Sequence, residues 1–204
     1  MFRKTLLSAA TLAAMMSTVP AFADTISTTD AGQGTIEFTG SVIDAPCTIV
    51  PNDQNIKVYL GQVSLKRLDT ADKYSDVVPV TINLTGCSFD TPTNQSDPVK
   101  YSKVAVTFPD AHTPTGGDAT KGEIANAASS NAAENVVIQL LQGDATTPVD
   151  LTKTNPGASD TGNIQLDPTS ATSKLQFYAR MMTISGAAKA GSVGATVTYK
   201  LHYF

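Results

Sequence analysis

Ala195-Thr196-Val197-Thr198-Tyr199-Lys200-Leu201-His202-Tyr203-Phe204 closes the chain, and its reading decides the fold. Val197, Tyr199, Leu201 and Tyr203 alternate with Thr198, Lys200 and His202, the period-2 signature of a strand with one face on a core. A terminal strand of this quality is either a core strand or an open edge seeking a partner. The sequence alone does not choose between them. His202 falls on the polar face and is expected to be solvated.

The same alternation recurs upstream. Ile36, Phe38 and Val42 read as one half-buried strand, and Ile56, Val58 and Leu60 as another. Further strands are expected at 77–84, 103–108, 136–141, 175–184 and 195–203, rich in Val, Ile, Thr and aromatic residues. Asp90-Thr91-Pro92, Pro114-Thr115-Gly116-Gly117 and Asn155-Pro156-Gly157 separate them, with Pro presetting φ and Gly supplying positive φ. Many short strands with turn signals between them predict an all-β antiparallel sandwich. One helical segment is expected over 123–134, where an Ala-rich run is diluted by Asn and Ser.

Composition narrows the functional classes. The 204 residues carry 14 bases, 18 acids, two His and no Trp, for a net charge of −4. An acidic chain lacks the basic face that phosphate neutralisation demands, so no nucleic-acid partner is expected. Two His leave little material for a His-rich metal site or a charge-relay triad. No G-x-S-x-G marks a nucleophile elbow, and Gly122 is followed by Glu123 where a phosphate loop needs Lys and Ser or Thr. Asp110 and His112 could share a strand face, but two ligands without a third hold a metal weakly. The expectation is a non-enzyme with no metal and no cofactor.

Arg3 and Lys4 precede an apolar run from Leu6 to Val19, followed by Ala21-Phe22-Ala23. This reads as a secretory signal peptide over 1–23, since the run is shorter than the roughly 20 residues that span a bilayer. Export places Cys47 and Cys87 in an oxidising compartment, where a lone pair reads as a structural disulfide. A redox or metal pair would use C-x-x-C spacing or further ligands. Residues 24–33 are polar and end in Gly32-Gln33-Gly34 ahead of the first strand. Ile26, Thr28, Asp30, Gly32, Gly34 and Ile36 share one face, which becomes small where another backbone could approach.

Together these stretches resemble the pilin subunits of chaperone–usher fimbriae, in the type 1 and P-pilus group. The resemblance rests on Gly34-Thr35-Ile36-Glu37-Phe38-Thr39-Gly40-Ser41-Val42-Ile43-Asp44-Ala45-Pro46-Cys47, on Leu60-Gly61-Gln62-Val63 and on Ile82-Asn83-Leu84-Thr85-Gly86-Cys87. It continues through Leu175-Gln176-Phe177-Tyr178-Ala179-Arg180 and the ending at 195–203. The family's penultimate Tyr and its Gly fourteenth from the end fall on Tyr203 and Gly191. Long loops at 88–103 and 109–131 depart from the pattern.

The resemblance implies an incomplete immunoglobulin-like β-sandwich over 34–204 that lacks its last strand and is completed by a donor strand from a neighbouring subunit. It implies that Ile26, Thr28, Asp30, Gly32, Gly34 and Ile36 belong to a donor segment within 24–38, the extension proper being 24–33. Asp30 and Gly32 would fill pockets poorly. Gly191, Val197, Tyr199, Leu201 and Tyr203 would belong to the acceptor groove and to chaperone recognition. The partners implied are neighbouring pilin subunits in a homopolymer, a periplasmic chaperone and an outer-membrane usher, on a route through the periplasm to an extracellular fimbrium. Strand addition of this kind is β-augmentation, and a heterologous linkage that does not close gives an open filament. The function implied is a structural subunit of a fimbria that supports cell adhesion. A minor adaptor or an adhesive tip subunit is the alternative, although a tip adhesin usually carries a separate lectin domain for which this chain has no room.

Overall fold

The structure, a computed structural model, describes residues 34–90 and 99–204. The expected signal peptide over 1–23 and extension over 24–33 lie outside the described residues, as do Ile26, Thr28, Asp30 and Gly32. The compact body runs from Ile43 to Phe204.

Two antiparallel sheets make up this body. The larger contains β1 (Thr48–Ile49), β2 (Val78–Thr85), β7 (Thr172–Thr183), β5 (Val136–Leu141) and β4 (Glu123–Ala125), in the order β1-β2-β7-β5-β4. The smaller contains β6 (Ile164–Gln165), β3 (Lys103–Thr107) and β8 (Lys200–Tyr203), in the order β6-β3-β8. The longest ladder joins β2 to β7, from Val78 opposite Ala179 to Thr85 opposite Thr172. On β7 the alternation is direct: Leu175, Phe177, Ala179 and Met181 are buried while Lys174, Gln176, Tyr178 and Arg180 face the other way.

The core lies between the sheets. Phe177 of β7 meets Phe108, just beyond β3, edge-on with ring centroids 6.0 Å apart, a geometry favoured by the ring quadrupoles. Ile82, Leu84, Val104, Leu166 and Leu175 are almost wholly buried around them. Cys47 and Cys87 are joined in a disulfide that ties the entry to β1 to the end of β2. A second, smaller cluster gathers Leu68, Val136 and Met181.

Several sequence expectations change. Residues 123–134 are not helical: only β4 forms, and the chain then loops, because Asn126 turns its side chain onto backbone groups instead of continuing a helix. Asn131 and Asn135 take positive φ in this loop, a conformation Asn tolerates better than most residues. The segments 36–42 and 56–60 form no strand, and of 195–203 only Lys200–Tyr203 does. Ile36, Phe38 and Val42 are highly exposed.

Candidate functional site: an open groove between two unpaired walls

Between residues 54–63 and 188–199 lies a groove of about 1290 Å³. Its floor is the core itself: Ile82, Phe108, Ile138, Leu140, Phe177 and Met181 all reach it. Most of these floor side chains are themselves buried, but Ile138, Val193 and Val197 beside them are only partly so, and the apolar surface they leave open along the groove is the mark of an interaction site.

The walls explain why two expected strands do not form. Among the described residues, no hydrogen bond uses the backbone of 56–63. On the opposite wall the pairing obeys a parity rule. Lys103 and Phe204 exchange both backbone hydrogen bonds, at 3.1 and 2.9 Å. With the register Ala105 opposite His202 and Thr107 opposite Lys200, the even-numbered residues of the terminal strand point their backbone groups at β3. The odd-numbered residues therefore point theirs at the groove. Among the described residues nothing bonds the backbone of Val193, Ala195, Val197 or Tyr199. Their alternation is that of a strand, and the missing ladder reflects a missing neighbour.

Tyr199 and Val197 pack side chains against the main core, as do Leu201 and Tyr203. The Tyr199 hydroxyl crosses to the other wall and donates to the Asp53 carbonyl at 2.7 Å. The Asp53 carboxylate in turn accepts from the backbone and the side-chain amide of Asn83, at 2.7 and 2.8 Å. Burial pushes the Tyr199 phenol up, and the Asp53 charge adds to the shift. Tyr203 carries a buried hydroxyl with no hydrogen-bond partner among the described residues, and burial pushes its phenol up to about 12.

Gly191 sits at the far end of the groove, where a Cβ would stand 2.5 Å from the Ala133 nitrogen and the Asn131 oxygen. The site residues expected from sequence thus divide. Gly191, Val197 and Tyr199 line the groove, whereas Leu201 and Tyr203 lie in β8 and support it from the core. Gly34 and Ile36 are exposed in the described stretch 34–42.

Sequence reading missed the bridge from Tyr199 to Asp53 and the role of 54–63 as an opposing wall; it grouped Phe38 and Val42 with Ile36, and all three are exposed rather than half-buried. Alternation gave a signal at 56–60 and at Phe38, read as strand; Asp53 gave none. It also placed His202 in solvent, but His202 is half-buried and its Nε2 lies 3.0 Å from Thr107 Oγ1. Burial and the nearby Lys200 charge lower the pKa of its imidazole. Asp110 faces Thr198, not His112. Among the described residues no group of three His, Cys, Asp or Glu is arranged to hold a metal.

Residues 36–203 match the family described as fimbrial protein, and the chain belongs to that family. It is 32% identical to the F17 fimbrial protein of Escherichia coli, over 87% of this chain and 91% of that one. It is also 32% identical to the major fimbrial subunit SMF-1 of Stenotrophomonas maltophilia, over 85% and 94%. Its fold is similar to that of a chain in the structure of a chaperone–usher pilus, with a TM-score of 0.63 and 22% identity over 87% of this chain and 99% of that one. The all-β body is thus an immunoglobulin-like sandwich of the pilin kind, and the chain is a structural subunit of a fimbria.

Proposed function

We propose that this fimbrial subunit polymerises head to tail by strand addition, its groove taking residues 24–38 of a second copy. The observation that carries the reading is the pair of unpaired walls flanking an apolar floor: a strand laid between them would bond the backbone on both sides and cover the floor. Ile36 and Phe38, exposed and of one parity, supply apolar side chains for that floor, with Ile26, Thr28, Asp30, Gly32 and Gly34 continuing the donor. Gly191, Val197, Tyr199, Leu201 and Tyr203 belong to the acceptor. Before assembly a periplasmic chaperone covers the same groove, and an outer-membrane usher passes the subunit to the cell surface. The similarity to a major fimbrial subunit over nearly its whole length favours the shaft over the tip.

The test compares the full chain with one lacking 24–33, by size-exclusion chromatography and electron microscopy. Filaments or ladders from the first, and from the second only monomers that bind a synthetic 24–38 peptide, are expected. Stable monomers in both cases, with no peptide bound, would overturn the reading.

A further inference from the structure

Among the described residues, the open edge at 192–199 has no β-strand behind it. The β3 ladder ends at Thr107, and the chain turns at Phe108-Pro109-Asp110, with the Ala111 amide closing onto the Phe108 carbonyl at 3.1 Å. Pro109 has no N–H to continue pairing. A stretch left unpaired on both sides would have little reason to stay extended.

Substitutes occupy the inner side. Opposite Thr198 stands Asp110, whose two oxygens accept the Thr198 N–H and hydroxyl, each at 2.6 Å. Opposite Gly194 stands Asn126, whose Oδ1 accepts the Gly194 N–H at 3.0 Å while its Nδ2 donates to the Ser192 carbonyl at 2.9 Å. Backbone groups of 127, 131 and 133 complete the even-numbered side at Gly194 and Ser192. Every one of these bonds falls on an even-numbered residue, so each aims the odd-numbered N–H and C=O groups outward.

We infer that Asp110 and Asn126 are positioning residues for strand acceptance. They stand in for β3 beyond its end and hold 192–199 in the register at which an incoming strand can pair. The inference deepens the proposed function and rests on it. Holding the edge in advance removes ordering entropy from the binding step, so the side chains act on capture without touching the donor.

The test measures the affinity of a fluorescent 24–38 peptide for the full chain and for Asp110→Ala, Asn126→Ala and Asp110→Asn, with amide exchange read at Gly194 and Thr198. Losing a charged hydrogen bond at an edge otherwise unsupported predicts weakening of roughly tenfold or more for Asp110→Ala. Asp110→Asn should recover most of it, because the amide oxygen still accepts the Thr198 N–H and its nitrogen can donate to the Thr198 hydroxyl. Asn126→Ala should weaken capture and speed exchange at Gly194.

Folded alanine variants that bind the peptide as the wild type does would overturn the inference while leaving the groove reading intact. A wild type that binds no peptide would overturn the groove reading and this inference with it. Should Asp110→Ala fail to fold, Thr198→Val decides instead: it removes only the hydroxyl bond, and unchanged affinity would count against the proposal.

Discussion

The Tyr199 hydroxyl and the Asp53 carbonyl, 146 positions apart in sequence, are joined by a 2.7 Å hydrogen bond that spans from one wall of the groove to the other. It ties the terminal wall to the residue leading into the wall at 54–63, while the Ala188 amide ties it to the segment beyond that wall by donating to the Leu68 carbonyl at 2.8 Å. The space between is thereby set before any strand enters.

Tyr199→Phe removes the hydroxyl and leaves the ring. The loss of one part-buried neutral hydrogen bond should cost about 1 kcal/mol of stability. The cost should be smaller once a peptide strand occupies the groove and holds the walls itself. Urea unfolding with and without the 24–38 peptide checks both statements; equal losses would mean that the bridge has no part in wall spacing.

Tyr203 makes a pH-dependent contribution whose sign is fixed. Its phenol, held neutral by burial, titrates at about 12 in the fold against about 10 when unfolded. The folded state therefore keeps its proton longer, and this contribution to stability is constant below pH 10 and is lost as pH rises from about 10 to 12. Tyr203→Phe should flatten that fall, and, because the hydroxyl has no partner among the described residues, should leave stability at pH 7 unchanged or slightly increased. Thermal melts from pH 8 to 11.5 would show it.

Reducing the Cys47–Cys87 bond, or Cys47→Ser with Cys87→Ser, opens a loop spanning 40 positions. The chain-entropy argument puts its contribution at roughly 4 kcal/mol. Refolding yield in dithiothreitol should drop sharply, and a double variant as stable as the oxidised chain would refute the estimate.

Gly191→Ala forces a methyl group onto the backbone of 131–133, which is held by its own hydrogen bonds to Ser192. Overpacking of this kind costs about 1–3 kcal/mol. The substitution should also loosen the 188–194 end of the groove, seen as faster amide exchange at Ser192 and Ala133. Unaltered exchange would mean the loop simply shifts aside.

Much of the fold is legible in the residues, and the failures share a cause. β2, β3, β5 and β7 follow from alternation of Val, Ile and Leu, since each has a neighbour within the chain to complete its ladder. The stretches 56–60 and 195–199 alternate just as clearly, yet alternation reports which side chains are buried, not whether the backbone has a partner. Here the partner is missing from the body, so the pattern is a strand's and the hydrogen bonding is not. β1, β4 and β6 have two or three residues each and are too short for any period to register. The contacts of Asp53 and Asp110 escape for another reason: each depends on a residue at least 30 positions away, and a single Asp in a loop carries no sign of it.

The disulfide also bears on how a filament would part under tension. The loop it closes contains all of the wall at 54–63, so that wall is anchored at both ends by a covalent link to β1 and β2. The wall at 188–199 has no crosslink of its own and is held over 192–198 by the packing of Val193 and Val197 and by hydrogen bonds, several of them from single side chains. A strand pulled along the groove loads both walls alike, but they do not resist alike. Under the proposed strand addition, yielding is expected to begin on the side of Asp110 and Asn126, with the crosslinked side as the fixed jaw to which the other returns.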